Sequence, residues 1–170
     1  LVRAHVQATW LAEAGLSLGK SLKDVLDLGG EQPSLELKDS VRHDVEDAAP
    51  RERAKRRIGR ILADGLMSAE LKRADWFAAG WVDEALAHVP LAFEQACSRW
   101  RELYRSALKQ WEIQNRIIGD ASRPPDDKRQ AKRLRGEAES QLDLLTDAEN
   151  VVQSDFYSYR YFASEGFLPG

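Results

Sequence analysis

The sequence predicts an all-α fold, a helical domain carrying a long antiparallel coiled-coil helical hairpin. Two observations carry that expectation. Phe93, Cys97, Trp100, Tyr104, Ala107, Trp111, Gln114 and Ile118 follow alternating steps of four and three, which is the a/d spacing of a coiled coil over about three and a half heptads. After a polar break holding Gly119-Asp120 and Pro124-Pro125, similar spacing resumes at Ala131, Leu134, Ala138, Leu142, Leu145 and Val152. Two long helices joined by so tight a loop are expected to fold back on each other as an arm of about 40 Å, at 1.5 Å per residue.

The elements before the arm read as follows. Val2, Val6, Trp10 and Ala14 recur every fourth position, with Leu11 widening the stripe, so a first amphipathic helix ends near Gly15. Residues 16–35 carry Gly19, Gly29, Gly30 and Pro33 and read as loop around a helical turn at Leu22 to Leu26. From Glu36 to Asp47 the pattern is divided, because Leu35 and Leu37 alternate like a brief strand while Val41 and Val45 keep helical spacing. After Pro50 a helix with a strongly basic start shows Ile58, Ile61, Leu62 and Leu66 as its apolar face. Trp76, Phe77, Trp81, Val82, Ala85 and Leu86 suggest a short, well-buried helix ending by Pro90. The expected division is therefore a helical base over 1–90, the hairpin arm over 91–152, and an aromatic segment over 153–170.

That last segment places Phe156, Tyr157, Tyr159, Tyr161, Phe162 and Phe167 within twelve consecutive positions close to the end at Gly170. So many aromatics are expected to enter a packed element, since soluble monomers rarely leave such a patch wet. Leu1 is not an initiator and the only methionine is Met67. The chain is thus expected to be a piece of a larger polypeptide, with the aromatic segment leading into its next part.

Composition narrows the function classes. With 170 residues, 43% hydrophobic and 31% charged, the chain is globular and long enough for one ordinary domain. A net charge of −3 argues against a nucleic-acid partner for the molecule as a whole, so such contact must come from local patches. The single cysteine, Cys97, excludes an internal disulfide framework and a cysteine-built zinc site, and fits a reducing cytoplasm. His5, His43 and His88 lie in no ligand motif, and no metal is expected. No apolar run approaches the ~18 residues of a membrane span, and no membrane contact is expected.

Two basic stretches are the candidate binding residues. Arg51 to Arg60 sets six cations, among them Arg56, Arg57 and Arg60, against Glu52. Folding the arm about residue 122 places Glu137, Glu139, Asp143 and Asp147 across from Lys109, Arg105, Arg101 and Cys97, so charges near the base compensate one another. Toward the tip Lys109, Arg116, Arg123, Lys128, Arg129, Lys132, Arg133 and Arg135 face only Glu112, Asp120, Asp126 and Asp127, a surplus of four. Basic residues in the first turns of a helix also oppose its dipole, and an external anion would relieve them. Either stretch could track a nucleic-acid backbone by charge alone; the ordinary reading of each is a solvated charged face. The stretch Ala14–Ser21, AGLSLGKS, fits a loose phosphate-loop pattern, but a helix precedes it and no aliphatic run ending in Asp follows to hold magnesium, so Lys20 reads as a solvated lysine. No Ser/His/Asp set or paired catalytic carboxylates stand out, and no catalytic residue is expected.

The segments LVRAHVQATWLAEAGLSLG, RWRELYRSALKQ followed by QNRIIGDAS, and LLTDAENVVQSDFYSYRYFASEGFLPG resemble a region of large bacterial DEAD/DEAH-box helicase-like proteins of superfamily 2, including motor proteins encoded in phage-defence loci. The resemblance is strongest at both ends and weakest from Glu31 to Ala74. It implies a helical insertion following two motor domains. The phosphate loop, the DEAD/DEAH box and the arginine fingers of that family are absent from these residues, so ATP and magnesium would belong to the parent. The expected function is a non-catalytic accessory domain that positions a DNA or RNA backbone, or a partner, beside the parent's motor domains. A second expectation from another class stays open, namely a protein-interaction or self-association module whose hairpin pairs with a partner protein or with its own copy and touches no nucleic acid, with exposed apolar residues outside the seam, especially the 156–168 segment, as its contact surface.

Overall fold

The computed structural model describes residues 1–146 and 156–170, and among them every regular element is helical: α1 (Val2–Ala14), a 3-10 turn (Leu22–Asp24), α2 (Asp39–Glu46), α3 (Ala48–Leu62), α4 (Gly65–Lys72), α5 (Trp81–Ala96), α6 (Ser98–Gly119), α7 (Pro125–Thr146) and α8 (Ser158–Ser164). The expected seam residue Val152 and the expected charge partner Asp147 lie outside the described residues. The chain forms two compact units. One comprises Leu1–Ser17, Glu36–Ala96 and Tyr159–Gly170; the other comprises Leu18–Leu35 and Cys97–Ser158. These units interleave in sequence, unlike the three consecutive segments expected.

In the first unit α1, α3 and α5 pack against one another. α1 ends as its sequence requires, with Gly15 at φ 64° and its N–H bonded to the Ala12 carbonyl. α2 forms where the pattern was divided, burying Val41 and Val45. The brief strand at Leu35 and Leu37 does not form, because Leu35 has a left-handed φ of 57° that no strand contains. α3 starts before Pro50, not after it: the Asp47 carboxylate accepts from the Ala49 N–H at 3.0 Å, and Pro50 sits in the first turn, where its missing N–H would have had no intrahelical partner. α3 buries Pro50, Ala54 and Ile58, whereas Ile61 is exposed. Asp64 then caps a separate helix, α4, through the N–H groups of Leu66 and Met67, and α4 buries none of its residues. The expected apolar face through Leu66 is thus broken, with Leu66 84% exposed.

Two further expectations fail in this unit. Trp76 and Phe77 precede α5 in turns, and Trp76 is half exposed. The helix then runs straight through Pro90 to Ala96. An interior proline costs about 3 kcal/mol, and burial of Ala85, Leu86, Val89, Phe93 and Ala96 along one face of α5 offsets it, at about 1.5–3 kcal/mol for each large apolar side chain. Phe93 therefore belongs to this core rather than to the arm.

Phe93 is also what receives the aromatic segment. Its ring stacks on Phe162 at 5.1 Å and meets Phe167 edge-on at 5.4 Å, with Trp10 at 6.4 Å. Tyr161, Phe162, Phe167 and Leu168 are buried, and the Tyr161 hydroxyl donates to the Ala96 carbonyl at 2.8 Å. The expectation that these rings need a further part of the polypeptide to cover them is corrected. The turn SEGF explains how the segment folds back: Gly166, at φ 75°, donates to Ala163 and Phe167 donates to Phe162, while the Phe162 and Phe167 rings touch at 5.7 Å. This is a Schellman ending with its apolar contact.

In the second unit α6 and α7, each 22 residues and so about 33 Å long, pack together. Contacts run in opposite order along them: Trp100 Nε1 donates to the Leu145 carbonyl, Trp111 Nε1 to Glu139, and Arg135 to Asn115. Trp100, Ala107 and Gln114 are buried at steps of seven, as are Ala131, Ala138 and Leu145. Tyr104, Trp111, Ile118, Leu134 and Leu142 are only half-buried, because two helices alone cannot cover both positions of a seam. The 3-10 turn and the two residues after it bury Leu22, Val25 and Leu26, and Ser21 Oγ donates to the Thr146 carbonyl, so two of the last carbonyls of α7 find donors in Trp100 and Ser21.

Candidate nucleic-acid interface

The α3 cations divide by face. Arg53 donates to the Glu13 carbonyl at 2.8 Å and Arg57 pairs with the Glu13 carboxylate at 3.1 Å, which ties α3 to the end of α1. Lys55 pairs with Asp83 of α5 at 2.6 Å, and the Asp83 carboxylate raises the Lys55 pKa through that hydrogen bond and its charge. These three are interhelical ties. Arg56 and Arg60, one turn apart and exposed, have no carboxylate within 4 Å among the described residues.

The arm cations divide differently. Arg123 pairs with Asp120 at 3.6 Å, Arg129 with Asp126, Arg133 with Glu137 at 3.8 Å and Arg135 with Glu139 at 3.5 Å. Each pair spans three or four residues of the chain. Glu137 and Glu139 therefore do not form the expected pairs with Lys109 and Arg105, because a partner one turn away on the same helix is nearer than one across the seam. The tip surplus is correspondingly smaller than the four expected. All four pairs are local; those of Arg123, Arg129 and Arg133 are largely exposed, so each of these contributes little and an incoming anion can displace it, whereas Arg135 is half-buried. Arg116, Lys128 and Lys132 have no carboxylate within 4 Å among the described residues. Asp126 and Asp127 hold the first turn of α7, ahead of the cations, and so oppose its dipole less than a wholly basic start would.

The loop between the helices is held by Asp120, whose carboxylate accepts from the Ser122 hydroxyl at 2.6 Å and N–H at 2.9 Å. These hydrogen bonds, followed by the charges of Arg123 and Lys128, hold its pKa below the ordinary aspartate value. The charged form is the favoured one in the folded state, so its contribution is present above the unfolded-state pKa and is lost as pH falls through the lower folded value. Carboxyl NMR titration should place the Asp120 midpoint below that of a free aspartate, and Ser122→Ala should move it up; an unmoved midpoint would contradict the loop geometry.

Arg116 also lines a groove of about 590 Å³ together with Arg105, Lys109, Glu112, Leu35, Leu108 and Ile113. Gln32 and Pro33 of the loop before α2 complete its lining. Sequence reasoning missed this groove because it assigned Arg105 and Lys109 to acids across the seam; their spacing of four on α6, with Arg116 seven further, was the available signal. Leu35 is fixed there by Arg101, whose Nε donates to its carbonyl at 2.7 Å.

The phosphate-loop-like stretch is occupied by the protein itself. Asp24 Oδ2 accepts from the N–H groups of Lys20 at 2.9 Å and Ser21 at 3.5 Å, taking the place an anion would fill. Gly19, at φ 63°, lies so close to Asp24 that an added Cβ would fall 2.2 Å from Oδ2. Among the described residues no group of three His, Cys, Asp or Glu is placed to hold a metal ion, and no helix is long and apolar enough to cross a membrane. No protein-family model, curated protein or solved structure matches the chain.

Proposed function

We propose that the chain is a non-catalytic helical accessory domain of a DEAD/DEAH-box-type helicase-like ATPase, contacting a nucleic-acid backbone beside the motor domains of its parent. The observation that carries this reading is the set of exposed or half-exposed cations on the arm, Arg116, Lys128 and Lys132, that have no acid partner among the described residues while their neighbours do. Cations without local compensation gain most from a phosphate, and phosphate contact carries no sequence information. The resemblance at both ends of the chain supplies the helicase context. Asp24, seated against the N–H groups of Lys20 and Ser21, supports leaving ATP and magnesium to the parent.

The alternative, a protein-interaction or self-association module whose hairpin pairs with a partner or a second copy, loses most of the contact surface expected of its 156–168 segment, because Tyr161, Phe162, Phe167 and Leu168 are buried. The test is binding of the purified chain to labelled DNA and RNA of unrelated sequence at low salt. Equal affinity across sequences is expected, with no ATP turnover. Strong preference for one sequence, or hydrolysis that disappears in Lys20→Ala, would overturn the reading.

A further inference from the structure

The groove on α6 continues the cations of the arm tip toward the base of the arm. Arg105, Lys109 and Arg116 follow steps of four and seven, which keep them on one face of the helix, about 6 Å and then about 10 Å apart at 1.5 Å per residue. None of the three has a carboxylate within 4 Å among the described residues. Glu112 stands in the same row, so the lining sets three positive charges against one negative. A volume of about 590 Å³ over the roughly 16 Å of the row leaves a mean cross-section of about 36 Å². That is narrower than a peptide helix, about 10–12 Å across with its side chains, and narrower than a duplex, whose major groove alone is about 12 Å wide.

We infer that this groove is the track of a single nucleic-acid strand, with phosphates on Arg105, Lys109 and Arg116 and with bases lying on the two guanidinium planes or against Leu108 and Ile113. The inference rests on the backbone reading above. It adds the strand type, two contact residues, Arg105 and Lys109, and one residue that weakens the track, Glu112. An arginine plane accepts any base, so this contact too carries no sequence information. An extended acidic peptide has the same sign of charge but needs pockets for its side chains. The lining offers it none, since Leu35 is fully buried and Leu108 and Ile113 are half-buried, whereas the flat face of a base needs no pocket.

The experiment measures, against salt concentration, binding of the whole chain to a labelled single strand of mixed sequence and to the same strand in a blunt duplex. The wild type should bind the single strand more tightly. The double variant R105Q/K109Q should flatten the slope of log K against log salt for the single strand by about 1.4, at roughly 0.7 per contact, and leave the duplex slope unchanged. Glu112→Gln should tighten single-strand binding about threefold, the effect of removing one like charge about 6 Å away in water. Arg105 and Lys109 are exposed, so helicity measured by circular dichroism should be unchanged in the double variant. An unchanged single-strand slope in the folded double variant, or a duplex slope that falls equally, would overturn this inference and leave backbone contact at Lys128 and Lys132 standing. Binding of neither form by the wild type would overturn both. Tighter binding of a polyglutamate peptide than of the single strand, lost in the double variant, would assign the groove to an acidic protein segment and overturn the inference.

Discussion

Phe93→Ala is expected to lower the unfolding free energy by about 3–5 kcal/mol, in the range of aromatic-to-alanine substitutions in cores. Phe93 is completely buried, and its ring is the shared neighbour of Phe162, Phe167 and Trp10. Removing it opens a cavity at the point where the aromatic segment meets α1 and α5, so three rings lose a partner at once. Tyr159→Ala, at a ring 54% exposed, should stay within about 0.5 kcal/mol of the wild type. Urea denaturation followed by circular dichroism separates the two. A Phe93→Ala loss below about 1 kcal/mol would mean that the aromatic segment does not pack on α5.

Trp100→Ala should cost about as much, roughly 3–5 kcal/mol, for a different combination of reasons. Trp100 is fully buried, stacks on Tyr104 at 5.1 Å with a 12° interplanar angle, and donates from Nε1 to the Leu145 carbonyl. Trp100→Phe separates the contributions, since it keeps a ring against Tyr104 but leaves a carbonyl near the end of α7 without that donor, at about 1–3 kcal/mol. Equal stability of the wild type and Trp100→Phe would contradict the contact between α6 and α7 at this level.

Elements whose determinants are local were legible in the sequence. α1 has a four-residue stripe and a glycine stop, and α6 and α7 have seven-residue spacing on either side of a proline break. Features decided by distant partners were not. Pro90 looked like a stop because the compensating burial around Phe93 comes partly from rings near residue 162, well over sixty positions later. The aromatic segment looked uncovered for the same reason. Among the candidate binding residues, the basic character of both stretches was visible, but which cations are free depends on rotamers: Arg53 and Arg57 reach Glu13, and Arg135 reaches Glu139, while Arg56, Lys128 and Lys132 find no carboxylate among the described residues.

The most direct test of backbone contact is the salt dependence of nucleic-acid affinity for the wild type and for the triple variant Arg116→Gln/Lys128→Gln/Lys132→Gln. Each phosphate contact removed should reduce the slope of log K against log salt by roughly 0.7–0.9, so the triple variant should be flatter by about 2–2.7 and weaker on all sequences alike. Helicity should be retained, because none of the three side chains belongs to the buried seam residues of α6 and α7. An unchanged slope and affinity in a folded triple variant would show that these cations are simply solvated, and would contradict nucleic-acid contact by the arm.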